Sequence, residues 1–169
     1  FAASLIQPND TIILDSGTTI AAMAYFIPEH INLNITCYNY YTLTQLFPKE
    51  GIQLTLAGGL LHKADQMFES SYANELIRSR RASKFFLAAS GVHEALGITC
   101  AHNYEVLTKK AAMSSSLSTI LVADSSKFGL VRSAFVTPLT SVGEIVTDSG
   151  LSDEWKNIIK DMGIKLHIV

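Results

Sequence analysis

Only two cysteines occur in the 169 residues, Cys37 and Cys100, and they share neither a CxxC spacing nor an evident set of metal partners. That excludes a disulfide framework and a cysteine-based zinc site, and the pair reads as reduced thiols of a cytoplasmic protein. Basic charge is also scarce. Thirteen Lys and Arg stand against fifteen Asp and Glu, a formal net charge of −2. The chain therefore has no basic footprint for nucleic-acid phosphates, and any DNA contact has to come from elsewhere. No run approaches the roughly 20 apolar residues of a membrane helix, and no basic segment followed by an apolar stretch opens the chain, which argues against an embedded or secreted protein. Repeats, low-complexity tracts and linkers are missing too, so a single domain from residue 1 to 169 is expected.

What is present suits a folded domain. Hydrophobic residues make up 48% of the chain and charged residues 17%, too apolar for a disordered segment. A chain of this length buries well over half of the surface it would expose unfolded. Its start, Phe1-Ala2-Ala3-Ser4-Leu5-Ile6, has no initiator methionine and reads as the last turns of a helix ending at Gln7-Pro8, as in a piece cut from a longer protein.

Short apolar or β-branched runs at 11–14, 33–37, 52–57, 84–88, 119–123, 144–147 and 164–169 predict strands. Most are near-continuous rather than alternating, as in parallel strands buried on both faces. Helix-length segments at 18–27, 40–47, 70–80, 104–116 and 152–162 lie between them. The pattern predicts an α/β fold with a doubly wound, mostly parallel sheet and helices on both faces, and with ligands at the carboxyl edge of the sheet. The stretch from Lys127 to Leu139 breaks the rhythm and predicts an extra edge strand or hairpin.

At that edge the strongest signal is Asp15-Ser16-Gly17-Thr18-Thr19, a small-residue turn between a strand and an apolar helix. Gly17 permits backbone conformations closed to other residues, and the free N–H groups of the first helical turn attract an anion. There is no Walker A or GxGxxG pattern, which weakens a nucleotide reading. The plainer alternative is that Ser16 or Thr18 caps the helix.

A second strand ends in Asp124-Ser125-Ser126-Lys127-Phe128-Gly129. There Lys127 can reach a phosphate and Asp124 can accept a hydroxyl or hold the lysine; the alternative is a surface turn with a solvated lysine. Asn39 with Tyr40, Gly58 with Gly59, and Ser90-Gly91-Val92-His93 follow other strands. Singly they read as a helix cap or a turn, and jointly as one ligand-binding edge. His62, His93 and His102 lack metal-ligand spacing, and no metal or cofactor is expected. Arg78, Arg80 and Arg81 cluster at a helix end, where dipole complementarity or an interface accounts for them as well as a phosphate does.

Taken together, these motifs resemble the C-terminal effector-sensing domain of the DeoR family of bacterial transcriptional regulators, nearly end to end. The marks are Leu14 to Thr19, Ala57-Gly58-Gly59, Ala89 to His93 with Gly97-Ile98-Thr99, the Glu105 and Lys109 helix, Val122 to Gly129, and Ile145 to Asp148. The resemblance implies a repressor domain, not an enzyme, that binds a phosphorylated sugar and modulates operator binding. It also implies an N-terminal winged helix-turn-helix domain, absent from this chain, and a homo-oligomer. Gly91-Val92-His93, Gly97 to Cys100 and Lys127 to Arg132 make a pentose phosphate such as deoxyribose 5-phosphate the first candidate.

The family is similar in fold to ribose-5-phosphate isomerase and sugar-phosphate deaminases, which keeps an enzyme reading open, as does a ligand-free oligomerisation module. Where the isomerase has Asp-Gly-Ala-Asp-Glu, this sequence has Ala89-Ser90-Gly91-Val92-His93-Glu94, and Thr108-Lys109 takes the place of a Glu-Lys pair. The expected phosphate grip is Ser16, Gly17, Thr18, Thr19 and Lys127. The other expected ligand-binding residues are Asp15, Asn39, Tyr40, Gly58, Gly59, Gly91, His93, Asn103, Glu105, Lys109 and Asp124.

Overall fold

Across residues 1–169 of the computed structural model, the short apolar runs form strands and the segments between them form helices. In chain order these are β1 (Thr11–Leu14), α1 (Thr18–Tyr25), β2 (Leu33–Cys37), α2 (Tyr40–Leu46), β3 (Ile52–Leu56), β4 (Leu60–His62), β5 (Met67–Glu69), α3 (Ser71–Ser79), β6 (Ala82–Leu87), β7 (Gly91–His93), β8 (Gly97–Cys100), α4 (Asn103–Ser114), β9 (Ser116–Val122), β10 (Ala134–Thr137), β11 (Glu144–Thr147), α5 (Asp153–Asp161) and β12 (Lys165–Ile168). The chain opens with a single 3-10 turn, Ala2–Leu5, where the sequence suggested the end of a helix.

Seven strands make one sheet in the order β3-β2-β1-β6-β9-β11-β12, and every neighbouring pair is parallel. Alternate side chains of the central strands feed two separate cores. Ile12, Leu14 and Phe86 pack with Ile20, Met23 and Ala24 of α1 and with Ala2, Ala3 and Ile6. Ile13, Phe85 and Leu87 pack on the opposite face with Ile77 of α3, Ala111 and Ala112 of α4, and Ile159 of α5. The doubly wound α/β fold is thus present, with its winding reversed between β1 and β6.

The helix ends follow local chemistry. Side chains of Asn39, Ser70 and Ser152 accept from Thr42, Ala73 and Trp155 N–H and cap α2, α3 and α5. Arg81 donates to the carbonyls of Arg78 and Arg80, which places the basic cluster at the C-terminus of α3.

Two small sheets depart from the expectation. The segment from Lys127 to Leu139 does supply a strand, β10, but it pairs antiparallel with β8 in a β10-β8-β7 sheet and does not extend the main one. Gly58 and Gly59 lead into the β4-β5 hairpin, where Gly59 has φ 150° and a Cβ would stand 2.3 Å from the Glu69 carbonyl oxygen. Strands of three or four residues carry too little alternation to stand out in the sequence.

Candidate functional site

The reversal of winding leaves a crevice over the C-terminal ends of β1 and β6, the place where open α/β sheets bind ligands. Its floor is a buried charge network. The Asp15 carboxylate, immediately after β1 and fully buried, accepts from Ser16 N–H (2.8 Å), Ala88 N–H (2.8 Å), Tyr38 Oη (2.5 Å) and Lys109 Nζ (2.6 Å). Lys109 Nζ also lies 3.4 Å from Glu105 Oε2, one turn earlier on α4, and 3.4 Å from the Ala88 carbonyl. Its three protons thus face three acceptors, and the network ties β1, β2, β6 and α4 together at one point.

The network holds its protons tightly. Burial opposes a charged Lys109, but Asp15 and Glu105 outweigh it and raise the ammonium above its ordinary range. Burial and Asp15 push the Tyr38 phenol well above its usual value, and burial pushes the Cys37 and Cys100 thiols up to about 12. In each case the folded chain keeps a proton that the unfolded chain releases at lower pH. The stabilisation is complete below the unfolded values and is lost as pH rises through the folded ones. Urea midpoints are therefore expected to fall steadily from about pH 9 upward, with a shallower slope in Tyr38→Phe. A flat profile to pH 11 would contradict the arrangement.

Above this floor, Gly17 turns the chain from β1 into α1 with φ 121°, and a Cβ there would lie 3.5 Å from Ala88 Cβ. Gly17, not Ser16 or Thr18, is the N-cap, and no side chain caps the helix. The N–H groups of Gly17, Thr18 and Thr19 find no acceptor in the chain, and all three residues line the crevice. Lys127 approaches from the turn after β9, with its ammonium 3.6 Å from Asp124. Arg132 lines the same cavity with its guanidinium free of any ion pair or hydrogen bond in the chain.

The cavity measures about 510 Å³ and is lined mostly by polar residues. Its other flank is formed by Asp65 at the tip of the β4-β5 hairpin and by His102 and Glu105 at the start of α4. His102 N–H donates to Glu105 Oε1 at 3.0 Å, which caps α4 from within. The arrangement offers hydrogen-bond donors and cations for an oxyanion, and acceptors for hydroxyl groups.

Of the residues expected from sequence, Ser16, Gly17, Thr18, Thr19, Glu105, Lys109 and Lys127 line this cavity together. The structure places the others elsewhere. Asp15 lies beneath the floor with its oxygens taken by protein donors. Asn39 caps α2 and donates to the Asp65 carbonyl, so its amide is occupied. Tyr40 and Asn103 are exposed first residues of their helices, outside the lining.

Gly58 and Gly59 shape the hairpin, and a Cβ on Gly91 would stand 2.6 Å from the Leu130 carbonyl oxygen, a close-packing role. His93 Nδ1 accepts from Ala95 and Leu96 N–H in a turn. Asp124 accepts from Ser126 N–H and stands beside Lys127, which matches the reading in which it holds the lysine. The other cavity residues are Ser90, which the sequence offered only as part of a strand-end turn, and Asp65, Ala88, Ala89, Ala101, His102, Arg132 and Ser133, none of them in the expected ligand-binding set. The run Lys127 to Arg132 pointed at Arg132, whereas Asp65 carried no sequence signal.

Residues 1–149 match the DeoR C-terminal sensor domain. The chain is 32% identical over 165 residues to the deoxyribose operon repressor of Escherichia coli K12, covering 98% of this chain and 66% of that protein. It is 30% identical over 168 residues to the HTH-type transcriptional regulator YulB of Bacillus subtilis, covering 99% and 65%. The chain thus spans about two thirds of the length of these relatives. Among solved structures, ribose 5-phosphate isomerase A from Methanocaldococcus jannaschii shares the fold, with a TM-score of 0.54 at 14% identity over 75% of this chain and 50% of that one. No helix is long and apolar enough to cross a membrane. The chain belongs to the DeoR family, as a C-terminal sensor domain.

Proposed function

We propose that this chain is the effector-binding domain of a DeoR-type bacterial repressor and that its cavity holds a phosphorylated sugar, with a pentose phosphate such as deoxyribose 5-phosphate the first candidate. The observation that carries the reading is the uncapped N-terminus of α1 sharing a cavity with Lys127 and Arg132. Three unspent N–H dipoles and two cations suit a phosphate, and the hydroxyls of Ser16, Thr18 and Thr19 add donors. The name of the E. coli relative favours a deoxyribose derivative among the candidates.

In the intact repressor, an N-terminal winged helix-turn-helix domain binds the operator, and sugar phosphate shifts the balance between two arrangements of a homo-oligomer. Typical coupling of this kind is about 1–3 kcal/mol. Isothermal titration of deoxyribose 5-phosphate, ribose 5-phosphate and the unphosphorylated sugars is expected to show binding only where a phosphate is present. A gel shift with full-length protein, in which none of these compounds changes operator affinity, would sink the inducer role.

The isomerase-like fold raises catalysis as a rival, but the cavity lacks a pair of free carboxylates: of Asp65 and Glu105, the two that line it, only Asp65 is without an ion-pair partner. Abstracting a proton beside a carbonyl needs an available carboxylate. Glu105 is paired with Lys109 and bonded to His102 N–H, which leaves Asp65, aimed by Tyr104, as a single carboxylate without a second acid–base partner of its kind. Ala89 to Glu94 offers no pair of carboxylates into the cavity either, since only Ala89 and Ser90 of that run line it.

A further inference from the structure

The β4-β5 hairpin is a sheet of its own, yet it is fixed to the body at several points. Asn39 Nδ2 donates to the Asp65 carbonyl at 2.9 Å, Tyr40 N–H to the Gln66 carbonyl at 2.8 Å, and Phe68 N–H to the Tyr38 carbonyl at 2.8 Å. These bonds hold the hairpin tip beside the end of β2. Lys127 follows β9, so Asp65 and Lys127 enter the cavity from opposite flanks of the β1-β6 crevice.

The Asp65 side chain is itself oriented. Its carboxylate accepts from Tyr104 Oη at 2.8 Å and from Met67 N–H at 3.3 Å. Tyr104 is held in turn by His62, stacked at 3.7 Å and 4° from parallel, and by His102, stacked at 4.9 Å and 11°. A carboxylate has acceptor sites for about four donors, so two protein donors leave capacity for a ligand. Asp65 has no ion-pair partner, whereas Glu105 is committed to Lys109. On the flank away from Lys127, Asp65 is therefore a positioned carboxylate without an ion-pair partner.

Building on the phosphosugar reading, we propose that Asp65 is the specificity-determining residue of this cavity. It accepts a hydrogen bond from a hydroxyl at the end of the ligand remote from the phosphate, and its charge turns away ligands carrying a second anion there. The ligand class is then sugar monophosphates, with bisphosphates and phosphorylated sugar acids excluded by like-charge repulsion. Tyr104 is a positioning residue that acts through Asp65.

Calorimetry on wild type, Asp65→Asn and Tyr104→Phe tests this with inorganic phosphate, deoxyribose 5-phosphate, ribose 5-phosphate, ribulose 5-phosphate and ribulose 1,5-bisphosphate. Wild type is expected to bind at least one pentose monophosphate about tenfold or more tighter than the bisphosphate or inorganic phosphate. Asp65→Asn should weaken that monophosphate about tenfold, leave inorganic phosphate within about twofold, and strengthen the bisphosphate. Tyr104→Phe keeps the charge but loosens its aim, so the monophosphate weakens by less and the bisphosphate stays excluded. Equal monophosphate and bisphosphate affinities in wild type and Asp65→Asn, or an equal loss of inorganic phosphate and sugar phosphate, would overturn the role of Asp65 alone. Failure of wild type to bind any monophosphate would overturn the phosphosugar reading with it.

Discussion

Lys109→Met is expected to lower the free energy of unfolding by about 3–5 kcal/mol, the cost of leaving a buried charge without its partner. Methionine fills much the same space as the lysine stem, so the loss is electrostatic and not a cavity effect. In the native chain Lys109 Nζ lies 2.6 Å from Asp15 Oδ2, with their side chains 2% and 0% exposed. Removing the ammonium leaves Asp15 with only the neutral donors Ser16 N–H, Ala88 N–H and Tyr38 Oη, and leaves Glu105 without its cation. Adding Asp15→Asn removes the stranded charge, so the double variant should be more stable than Lys109→Met alone. Urea unfolding at neutral pH measures both. A single variant within about 1 kcal/mol of wild type would mean that the pair does not work as a buried ion pair.

The same residues show how far the sequence could be read. All seven strands of the main sheet were legible because runs such as Ile12 to Leu14 and Phe85 to Leu87 are apolar throughout, and all six of these residues are shut off from solvent. Strands of that kind need no partner to be recognised. The β4-β5 hairpin and the β7-β8 pair were not legible, because three or four residues around glycines look like turns. Asp15 was legible as a strand-end carboxylate, but its direction was not. It points inward to pair with Lys109, and because that partner lies 94 residues further along the chain the pairing leaves no local signal. Asn39 behaves as the helix cap its residue type favours. Asp65 was hidden for a different reason: it sits at the tip of a hairpin that the sequence does not announce. The half of the cavity formed by Ser16 to Thr19 and Lys127 comes from contiguous motifs, while the half with Asp65 is assembled by tertiary packing.

Lys127→Ala and Arg132→Ala are each expected to weaken binding of a sugar phosphate about tenfold to hundredfold, since a hydrogen bond to a charged group contributes about 1.5–3 kcal/mol. The two cations reach the cavity by different routes. Lys127 sits in the turn after β9, beside Asp124 at 3.6 Å. The Arg132 backbone N–H donates to Thr99 Oγ1 at 2.9 Å, and its guanidinium has no partner in the chain. They share no partner within the chain but act on the same phosphate, so the double variant should lose more than either single variant, on the order of a hundredfold to a thousandfold. Lys127→Ala has a second consequence: it leaves the Asp124 carboxylate without its cation beside the proposed phosphate grip. Asp124→Asn in the Lys127→Ala background should therefore recover part of the loss. Raising the salt concentration should weaken wild type more than the double variant, because fewer charges remain to be screened. Free sugars, which carry no phosphate, should not distinguish any of these variants. Binding of every sugar phosphate within about twofold of wild type in the double variant would remove both residues from the phosphate grip and leave the N-terminus of α1 as its only support.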